Sequence, residues 1–369
     1  MKYYLIAGER SGDLHGGNLI KALRQQDPEA QMRCWGGDAM QAAGGELVVH
    51  YRETSFMGFW EVFKNLRTIR RLLKRCQRDL LGYQPDALVL IDYPGFNLRM
   101  AKFAKQHGLR VFYYISPKVW AWNQSRAKKI KATVDHMYVI LPFEEAFYQK
   151  YDYKVQYVGN PLFDAIRDFR PNEGFAATHL PDDRPVVALL PGSRQQEIAL
   201  MLEIMLRVAD RFPNYHFVVA AVDSVPTSFY DAGRNHPAVT IVVNKTYDVL
   251  HHAQAAIVTS GTATLETALF DVPQLVTYRM SPITYQIARR VIRVPYISLV
   301  NLVAERAVVP ELIQKDFSAE RITELLPALM ENTPVRQQQL EDYRSMKTKL
   351  GGYGASETVA KHIRMVLTE

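Results

Sequence analysis

The sequence predicts an α/β protein built from two Rossmann-like, doubly wound domains. Its 369 residues exceed the length of one ordinary single-core domain. Short apolar runs alternate with amphipathic stretches long enough for crossover helices, which is typical of parallel sheets. A segment rich in proline and charge, residues 167–185, separates two such series and has the composition of a linker.

Each series of apolar runs predicts five strands. In the first they cover residues 3–7, 32–35, 87–92, 111–115 and 136–140, and in the second 186–190, 217–222, 240–243, 255–259 and 274–277. Beyond Ser318 the pattern is helical, and glycines at 351, 352 and 354 precede a last amphipathic helix. We therefore expect domains over 1–165 and 186–350, with the carboxyl ends of both sheets around one ligand-binding cleft.

Composition narrows the function classes. The two cysteines, Cys34 and Cys76, lie too far apart in sequence for a zinc motif, so a reducing, cytoplasmic compartment fits best. No run approaches the roughly 18 apolar residues of a membrane span. The apolar run at the N-terminus is too short for a signal peptide. The net charge of +7 favours an acidic partner: phosphate, nucleic acid or anionic lipid.

The turn after strand 255–259 is a candidate anion site. Small residues let the backbone approach a phosphate, and the following helix directs its free N–H groups towards it. Hydroxyls would add donors, and a carboxylate one turn later would bind ribose. The candidate residues are Ser260, Gly261, Thr262, Ala263, Thr264 and Glu266. A plain helix cap is the alternative, since serine and threonine are preferred there.

A second turn of this kind follows strand 186–190. Its sequence is Pro191-Gly192-Ser193-Arg194. The arginine lies where its guanidinium could donate two parallel hydrogen bonds to a diphosphate. Neither turn is a P-loop, and Gly8 to Asp13 does not match the dinucleotide fingerprint. Nicotinamide and ATP chemistry are therefore disfavoured. A surface arginine closing a loop is the alternative.

A candidate base lies in the first half. Asp92 ends a hydrophobic strand, where burial would raise its pKa towards working pH, and Glu9 holds the equivalent place after the first strand. We expect Asp13 to cap a helix beginning at Leu14, and His15 to lie at a solvent edge. Trp120 and Trp122 are expected to pack, with stacking on a sugar or acyl chain as the alternative. The sequence has no Asp-x-Asp motif or His/Cys cluster, so we predict no metal and no cofactor.

The stretch 56–81 predicts a basic amphipathic helix. Seven cations share one arc, while aromatic residues of the first turn fall on or beside it. Cations next to exposed aromatics suit an anionic membrane surface. The residues expected to contact the membrane are Phe56, Trp60, Phe63, Arg67, Arg71 and Lys74. A solvated basic face and RNA binding are the alternatives.

Together these segments resemble the lipid A disaccharide synthases, bacterial glycosyltransferases of GT-B type. The resemblance runs nearly end to end. It is carried by Ala7-Gly8-Glu9-x-Ser11-Gly12-Asp13, Met57-Gly58-Phe59-x-Glu61-Val62, Ile91-Asp92-x-Pro94-x-Phe96-Asn97, Ser116-Pro117-x-Val119-Trp120-Ala121-Trp122, Leu141-Pro142-Phe143-Glu144, Leu190-Pro191-Gly192-Ser193-Arg194, Ser260-Gly261-Thr262-Ala263-Thr264-Leu265-Glu266, Tyr278-Arg279-Met280 and Ser298-Leu299-x-Asn301-Leu302. The chain departs from the family pattern at Arg10, Asp38 and Asn160.

The resemblance implies an inverting transfer of the sugar of UDP-2,3-diacylglucosamine to 2,3-diacylglucosamine 1-phosphate. By position Asp92 matches the family's general base, and Arg194 and Asn301 match residues needed for activity. It also implies that the last helix, 355–369, packs on the N-terminal half, and that homodimers and an inner-membrane surface are partners. The rivals are a UDP-N-acetylglucosamine 2-epimerase and a non-catalytic nucleotide-sugar sensor docked on a membrane or on RNA.

Overall fold

The computed structural model describes residues 1–53 and 66–369, which form two compact units. Unit 1 comprises Met1–Asp164 and Gly352–Glu369, and unit 2 comprises Ala165–Gly351. Both are parallel sheets with crossover helices. The predicted fold class is therefore confirmed.

Each unit contains one sheet among its described residues. The strands of unit 1 are β1 (Lys2–Ala7), β2 (Gln31–Gly36), β3 (Glu46–His50), β4 (Ala87–Ile91), β5 (Arg110–Tyr114), β6 (His136–Val139) and β7 (Gln156–Tyr157). Those of unit 2 are β8 (Val186–Leu190), β9 (His216–Ala221), β10 (Val239–Val243), β11 (Ala253–Thr259), β12 (Gln274–Tyr278) and β13 (Glu311–Ile313). The spatial orders are β3-β2-β1-β4-β5-β6-β7 and β10-β9-β8-β11-β12-β13.

Helices connect these strands. In chain order they are α1 (Arg10–Gln26), α2 (Asp38–Ala42), α3 (Leu66–Tyr83), α4 (Pro94–Gln106), α5 (Val119–Trp122), α6 (Arg126–Lys131), α7 (Phe143–Gln149), α8 (Leu162–Asp168), α9 (Phe175–His179), α10 (Gln195–Ala209), α11 (Asp231–Arg234), α12 (Thr246–His252), α13 (Thr262–Leu269), α14 (Pro282–Val291), α15 (Leu299–Ala304), α16 (Ala319–Leu325), α17 (Pro327–Met330), α18 (Pro334–Lys349) and α19 (Ala355–Thr368). Single 3₁₀ turns cover Tyr51–Glu53 and Thr227–Tyr230.

Helix α19 completes the core of unit 1. It packs on α1, and Val359, Ile363 and Val366 lie in the same buried cluster as the strand residues of β1 and β4. Asp164 fixes its start, because the carboxylate accepts the N–H groups of Gly354 at 2.7 Å and of Ala355 at 3.1 Å. The predicted return of the last helix to the N-terminal half is confirmed.

The structure corrects the predicted strands and the predicted linker. Strands β3, β7 and β13 were not predicted, because none of them carries more than three consecutive apolar residues. The segment predicted as a linker is partly folded into unit 2. It contains α9, and the buried Phe175 packs with His252 at a ring distance of 5.0 Å.

Candidate functional site

Both sheets reverse their strand order next to their first strand. The reversal lies between β1 and β4 in unit 1 and between β8 and β11 in unit 2. Ligands of doubly wound sheets bind outside the carboxyl ends of the strands at this switch point. The predicted site residues Glu9 and Asp92 follow one pair of strands, and Arg194 and Ser260 follow the other.

In unit 2 the turn after β8 is built around a glycine and a carboxylate. Gly192 has φ of 111°, and a Cβ there would meet the Glu197 carboxylate at 2.6 Å, so only glycine fits. That carboxylate accepts the Ser193 N–H at 3.2 Å and pairs with the Arg194 guanidinium at 3.1 Å. Arg194, 55% exposed, holds the N-cap position of α10. Glu197 therefore aims the guanidinium while leaving it accessible.

The turn after β11 lies next to the turn after β8, because the two strands are neighbours in the sheet and Val258 pairs with Leu190. Gly261 is the N-cap of α13, and a Cβ on it would meet nothing within 4 Å, so the backbone faces open space. Ser260 Oγ donates to the Ile297 carbonyl at 2.8 Å and Thr264 Oγ1 to the Gly261 carbonyl at 2.8 Å. These two hydroxyls hold the turn, whereas Thr262 is exposed.

Glu266 lies one turn into α13, beside aromatic residues. Its carboxylate accepts the Tyr247 hydroxyl at 2.9 Å. Burial raises the pKa of Glu266, and the Tyr247 hydrogen bond partly opposes the rise. The ring of Tyr247 packs against Phe270 at 5.1 Å, which fixes the carboxylate relative to the turn.

Asn301 is buried and uses its whole amide. Nδ2 donates to the Val309 carbonyl and to Glu311 Oε1, both at 2.9 Å, and Oδ1 accepts the N–H groups of Val308 at 2.8 Å and Val309 at 2.9 Å. Three of these hydrogen bonds go to the backbone of Val308 and Val309, and the fourth goes to the Glu311 carboxylate.

Glu311, at the start of β13, was not singled out from the sequence. It accepts the N–H of Ser298 at 2.9 Å and of Ile297 at 3.0 Å, in addition to the amide of Asn301. Because Ile297 in turn accepts the Ser260 hydroxyl, Glu311 and Asn301 are joined to the Ser260 turn by hydrogen bonds. A carboxylate within the apolar run from Val308 to Ile313 was the signal available in the sequence.

In unit 1 the chain makes a strained turn directly after β4. Asp92 and Tyr93 are both left-handed, with φ of 45° and 50°. Two successive non-glycine residues in this region cost about 1–3 kcal/mol each. The buried Asn97 holds the turn, because its Nδ2 donates to the carbonyls of Ile6, Ile91 and Asp92 at 2.8–3.3 Å. Strand β4 therefore ends at Ile91, one residue earlier than predicted.

Two more residues define the surroundings of Asp92. Tyr113 donates its hydroxyl to the Asp92 carbonyl at 2.5 Å. Burial raises the pKa of Tyr113 well above its usual range, and the Asp92 carboxylate adds to the rise. The Tyr93 ring covers Gly8, where a Cβ would lie 2.2 Å from it. Gly8 is thus required for the close approach of the β1 and β4 ends.

Glu9 is brought to the same sheet edge as Asp92. It is the N-cap of α1, and the preceding strand pairs with β4 through Ala7 and Ile91. The two candidate bases therefore follow neighbouring strands, as their places in the sequence predict. Both are partly exposed.

Comparison with known proteins then decides the family. Residues 3–363 match the family model described as lipid-A-disaccharide synthetase. The chain belongs to the lipid-A-disaccharide synthase family. The family's enzyme from Geobacter metallireducens is 40% identical over 363 residues, covering 96% of this chain and 94% of the relative. The one from Coxiella burnetii is 36% identical over 373 residues, covering 98% of both.

Membership makes the chain a glycosyltransferase of lipid A biosynthesis, as the motifs predicted. Its fold is similar to a UDP-GlcNAc 2-epimerase from Neisseria meningitidis bound to UDP-GlcNAc, with a TM-score of 0.71, 12% identity and coverage of 98% and 99%. A calicheamicin glycosyltransferase matches with a TM-score of 0.61, 18% identity and coverage of 100% and 98%. These identities bear on the fold alone, so the family match is what separates this chain from the epimerase alternative.

Several family motifs of unit 1 converge on one buried carboxylate. Glu144 accepts the Ser116 hydroxyl at 2.5 Å, the Trp120 indole at 3.1 Å and the N–H groups of Ile140 at 3.1 Å and Leu141 at 3.0 Å. Burial raises the pKa of Glu144, and these donors oppose the rise. Trp120 is thus a packing residue, as expected.

The other indole and one departure from the family pattern are also accounted for. Trp122 is 45% exposed, with the Arg126 guanidinium 4.9 Å from its ring centre. Asn160 is buried, donates to the Ile140 carbonyl at 3.2 Å and accepts the Leu162 N–H at 3.1 Å. It therefore serves the turn before α8.

Two expectations about α1 are wrong. The helix begins at Arg10 and not at Leu14, so Asp13 lies inside it. The Asp13 carboxylate instead caps α2, accepting the N–H groups of Gly37 at 2.7 Å, Ala39 at 3.0 Å and Met40 at 3.1 Å. His15 is buried rather than at a solvent edge, and burial lowers its pKa to about 4.

The basic helix is described from Leu66 onwards. Arg67, Arg71 and Lys74 are exposed, while Cys76 and Leu80 are buried, which is the predicted division of its faces. Phe56, Trp60 and Phe63 lie outside the described residues.

None of the described helices is long and apolar enough to span a bilayer. Among residues 1–53 and 66–369, no group of three or more His, Cys, Asp or Glu side chains could hold a metal ion.

Proposed function

We propose that this chain transfers the sugar of UDP-2,3-diacylglucosamine to the 6-hydroxyl of 2,3-diacylglucosamine 1-phosphate. The products are lipid A disaccharide 1-phosphate and UDP, with inversion at the anomeric carbon. Unit 1 would bind the acceptor and unit 2 the UDP-sugar donor. The family match over residues 3–363 supports the reaction class, and the two switch-point edges support this division of roles.

In this proposal Asp92 is the general base. Its carboxylate takes the proton of the acceptor hydroxyl as that oxygen attacks the anomeric carbon, and the bond from that carbon to the UDP oxygen breaks with its electron pair. The strained turn held by Asn97 supports the assignment, because backbone strain clusters at functional sites. Glu9, on the neighbouring strand end, is the second candidate.

The donor's diphosphate would bind at the unit 2 edge. Charge grows on it as UDP leaves, and the Arg194 guanidinium with the N–H groups opening α13 would stabilise that charge. The open backbone at Gly261 and the exposure of Arg194 are the observations that carry this role. Ser260, Thr262, Ala263 and Thr264 form the turn, and Glu266 would accept ribose hydroxyls. Asn301 would keep the turn in place through Glu311.

One assay tests the proposed reaction. Purified protein is mixed with both acylated glucosamine substrates and EDTA, and UDP and the disaccharide are measured together. We expect equal amounts of the two products. An epimerised UDP-sugar without disaccharide, or binding of the donor without UDP release, would refute the proposal. The Asp92→Asn variant is the control for a contaminating transferase.

We also propose that the chain works in the cytoplasm on the anionic inner-membrane surface. Phe56, Trp60 and Phe63 would enter the interface beside Arg67, Arg71 and Lys74, each cation contributing about 1 kcal/mol. The test is co-sedimentation with anionic liposomes. Changing the three aromatics to serine should release most of the bound protein, and unchanged binding would contradict the role.

A homodimer is the last part of the proposal. Gly351 and Gly354 are left-handed, with φ of 70° and 97°, which makes the segment before α19 a suitable hinge for exchange of that helix. Size-exclusion chromatography with light scattering should give twice the mass of one chain, and the mass of a single chain would exclude the dimer.

A further inference from the structure

Helix α14 in unit 2 presents a bare apolar face. None of its 10 residues is buried, and Ile283, Ile287 and Val291 are 76%, 59% and 39% exposed. The helix is nevertheless well defined at its start, where Pro282 is its first residue and Ser281 Oγ accepts the Thr284 N–H at 3.3 Å. A surface helix of this length normally gains its stability by burying such a face.

The three aliphatic residues form one stripe. They are spaced four residues apart, so they lie within about 80° of each other around the helix axis. Arg290 lies beside this arc, about 20° from Ile283. The stripe is therefore a continuous apolar ridge bordered by a cation, rather than three scattered exposed residues.

The surrounding sequence carries charge of one sign. Between Asp271 and Glu305 there are four arginines and no acidic residue. Arg289, Arg290 and Arg293 are exposed, and in the described ranges 1–53 and 66–369 none of them has an ion-pair partner. A protein partner for this face would need a matching acidic surface, whereas an anionic bilayer offers both apolar depth and phosphate groups.

We propose that α14 is a membrane-contact helix of unit 2, separate from the basic helix of unit 1. It lies along the surface of an anionic bilayer, with the aliphatic stripe at the boundary of headgroups and acyl chains and the arginines on lipid phosphates. Because α14 starts just after the carboxyl end of β12, docking holds this edge of the unit 2 sheet near the lipid surface. The inference does not depend on the catalytic roles proposed above.

A fluorescent label on the stripe tests this directly. Cys34 and Cys76 are both buried, so Ile287→Cys provides a selectively labelled site for an environment-sensitive dye in the full chain. Vesicles of phosphatidylethanolamine and phosphatidylglycerol should shift its emission to the blue, and lipids with a shallow quencher should quench it. The matched control is the same dye at Val335→Cys, 53% exposed on α18 of the same unit, which should not respond.

Charge removal is the second arm. In the protein labelled at position 287, combining Arg289→Gln, Arg290→Gln and Arg293→Gln should weaken the vesicle affinity reported by the dye by at least about tenfold. An unresponsive label at 287, or an equal response to phosphatidylcholine alone, would overturn the proposal. So would a shift without vesicles, whether caused by raising the protein concentration, which indicates a second copy, or by adding the UDP-linked donor, which indicates an acyl-chain site.

Discussion

Asn97 in unit 1 and Asn301 in unit 2 are both buried asparagines that fix backbone at a sheet edge, yet their hydrogen bonds differ. Asn97 only donates: its Nδ2 reaches three carbonyls, and its Oδ1 has no partner within the described part of the chain. Asn301 donates and accepts, with every polar atom of its amide paired. One amide holds a turn of two successive left-handed residues, and the other holds the loop that leads from α15 into β13.

The difference agrees with the separate roles proposed for the two sheet edges. Holding Asp92 and Tyr93 in the left-handed region costs stability, and in the proposed reaction it would aim the Asp92 carboxylate for proton transfer. The unit 2 edge, with backbone N–H groups and an accessible arginine, would bind the charged diphosphate in the proposed reaction. We therefore expect substitutions in unit 1 to act on kcat and those in unit 2 to act on donor binding as well.

The largest effect is expected for Asp92→Asn. Loss of the base should lower kcat by about 10²–10⁴-fold, while the affinity for UDP and the melting temperature stay unchanged. Steady-state kinetics and UDP titration measure the two. Glu9→Gln is the matched variant on the neighbouring strand end, and a larger loss of kcat there would transfer the base role to Glu9.

Arg194→Ala should act on both binding and turnover. Removing a donor to the leaving diphosphate should lower kcat/KM by about 10²–10³-fold and weaken UDP binding. Arg194→Lys should recover only part, since an ammonium lacks the planar fork. Arg344→Ala removes another exposed arginine that pairs with a nearby glutamate, and it should change neither quantity. Wild-type UDP affinity in Arg194→Ala would break the contrast between the edges.

The two asparagines themselves give the sharpest comparison. Asn301→Ala removes the partner of the buried N–H groups of Val308 and Val309 and of the Val309 carbonyl, so it should lower the free energy of unfolding by about 3 kcal/mol. Asn97→Ala removes three hydrogen bonds, but it also removes a buried unpaired oxygen and releases backbone strain. The free energy of unfolding should therefore fall by only about 1 kcal/mol, while kcat should decrease. All four tryptophans lie within residues 1–164, so their fluorescence reports unit 1 and circular dichroism reports both units. Equal losses of stability would refute the distinction.

The last prediction concerns the pH dependence of stability in unit 1. His15 Nδ1 has no partner among the described residues, whereas His216 of unit 2 is hydrogen-bonded to Thr240 at 2.9 Å. Burial lowers the pKa of His15 from 6.5 to about 4, so between these values the unfolded chain binds a proton that the folded chain does not. Stability should therefore fall as pH falls through this window, by at most about 3 kcal/mol.

Urea unfolding followed by tryptophan fluorescence at several pH values measures this loss. In His15→Asn the slope between pH 6.5 and 4 should be shallower than in the wild type. Identical slopes would show that His15 does not control the acid stability of unit 1.

Most of the fold follows from the sequence because parallel strands buried on both faces leave uninterrupted apolar runs. Strands β4 and β8 are such runs, and each of their residues is buried. The missed strands β7 and β13 have only two and three residues, too few for any pattern. The buried Phe175 was missed because the charged and proline-rich residues around it resemble a linker.

The site divides in the same way. The positions of the two turns and of Asp92 at strand ends could be predicted because they directly follow strong strands, and parallel topology brings strand ends together. The partners of Asp13, Asn97 and Glu311 lie up to 91 residues away in sequence, and no local pattern records them. Burial of His15 likewise depends on elements that close over α1, where Gly16 and Gly17 allow Met40 and Ala39 to approach.

The place of α19 has a consequence for synthesis of the chain. Its residues Ala355, Val359, Ala360 and Ile363 are fully enclosed in the core of unit 1, although the ribosome produces them only after all of unit 2. Unit 1 emerges first and is completed last, so its nascent form must wait with part of its apolar interior uncovered. We therefore expect the newly made first unit, rather than the second, to be the stage at which chaperones are needed.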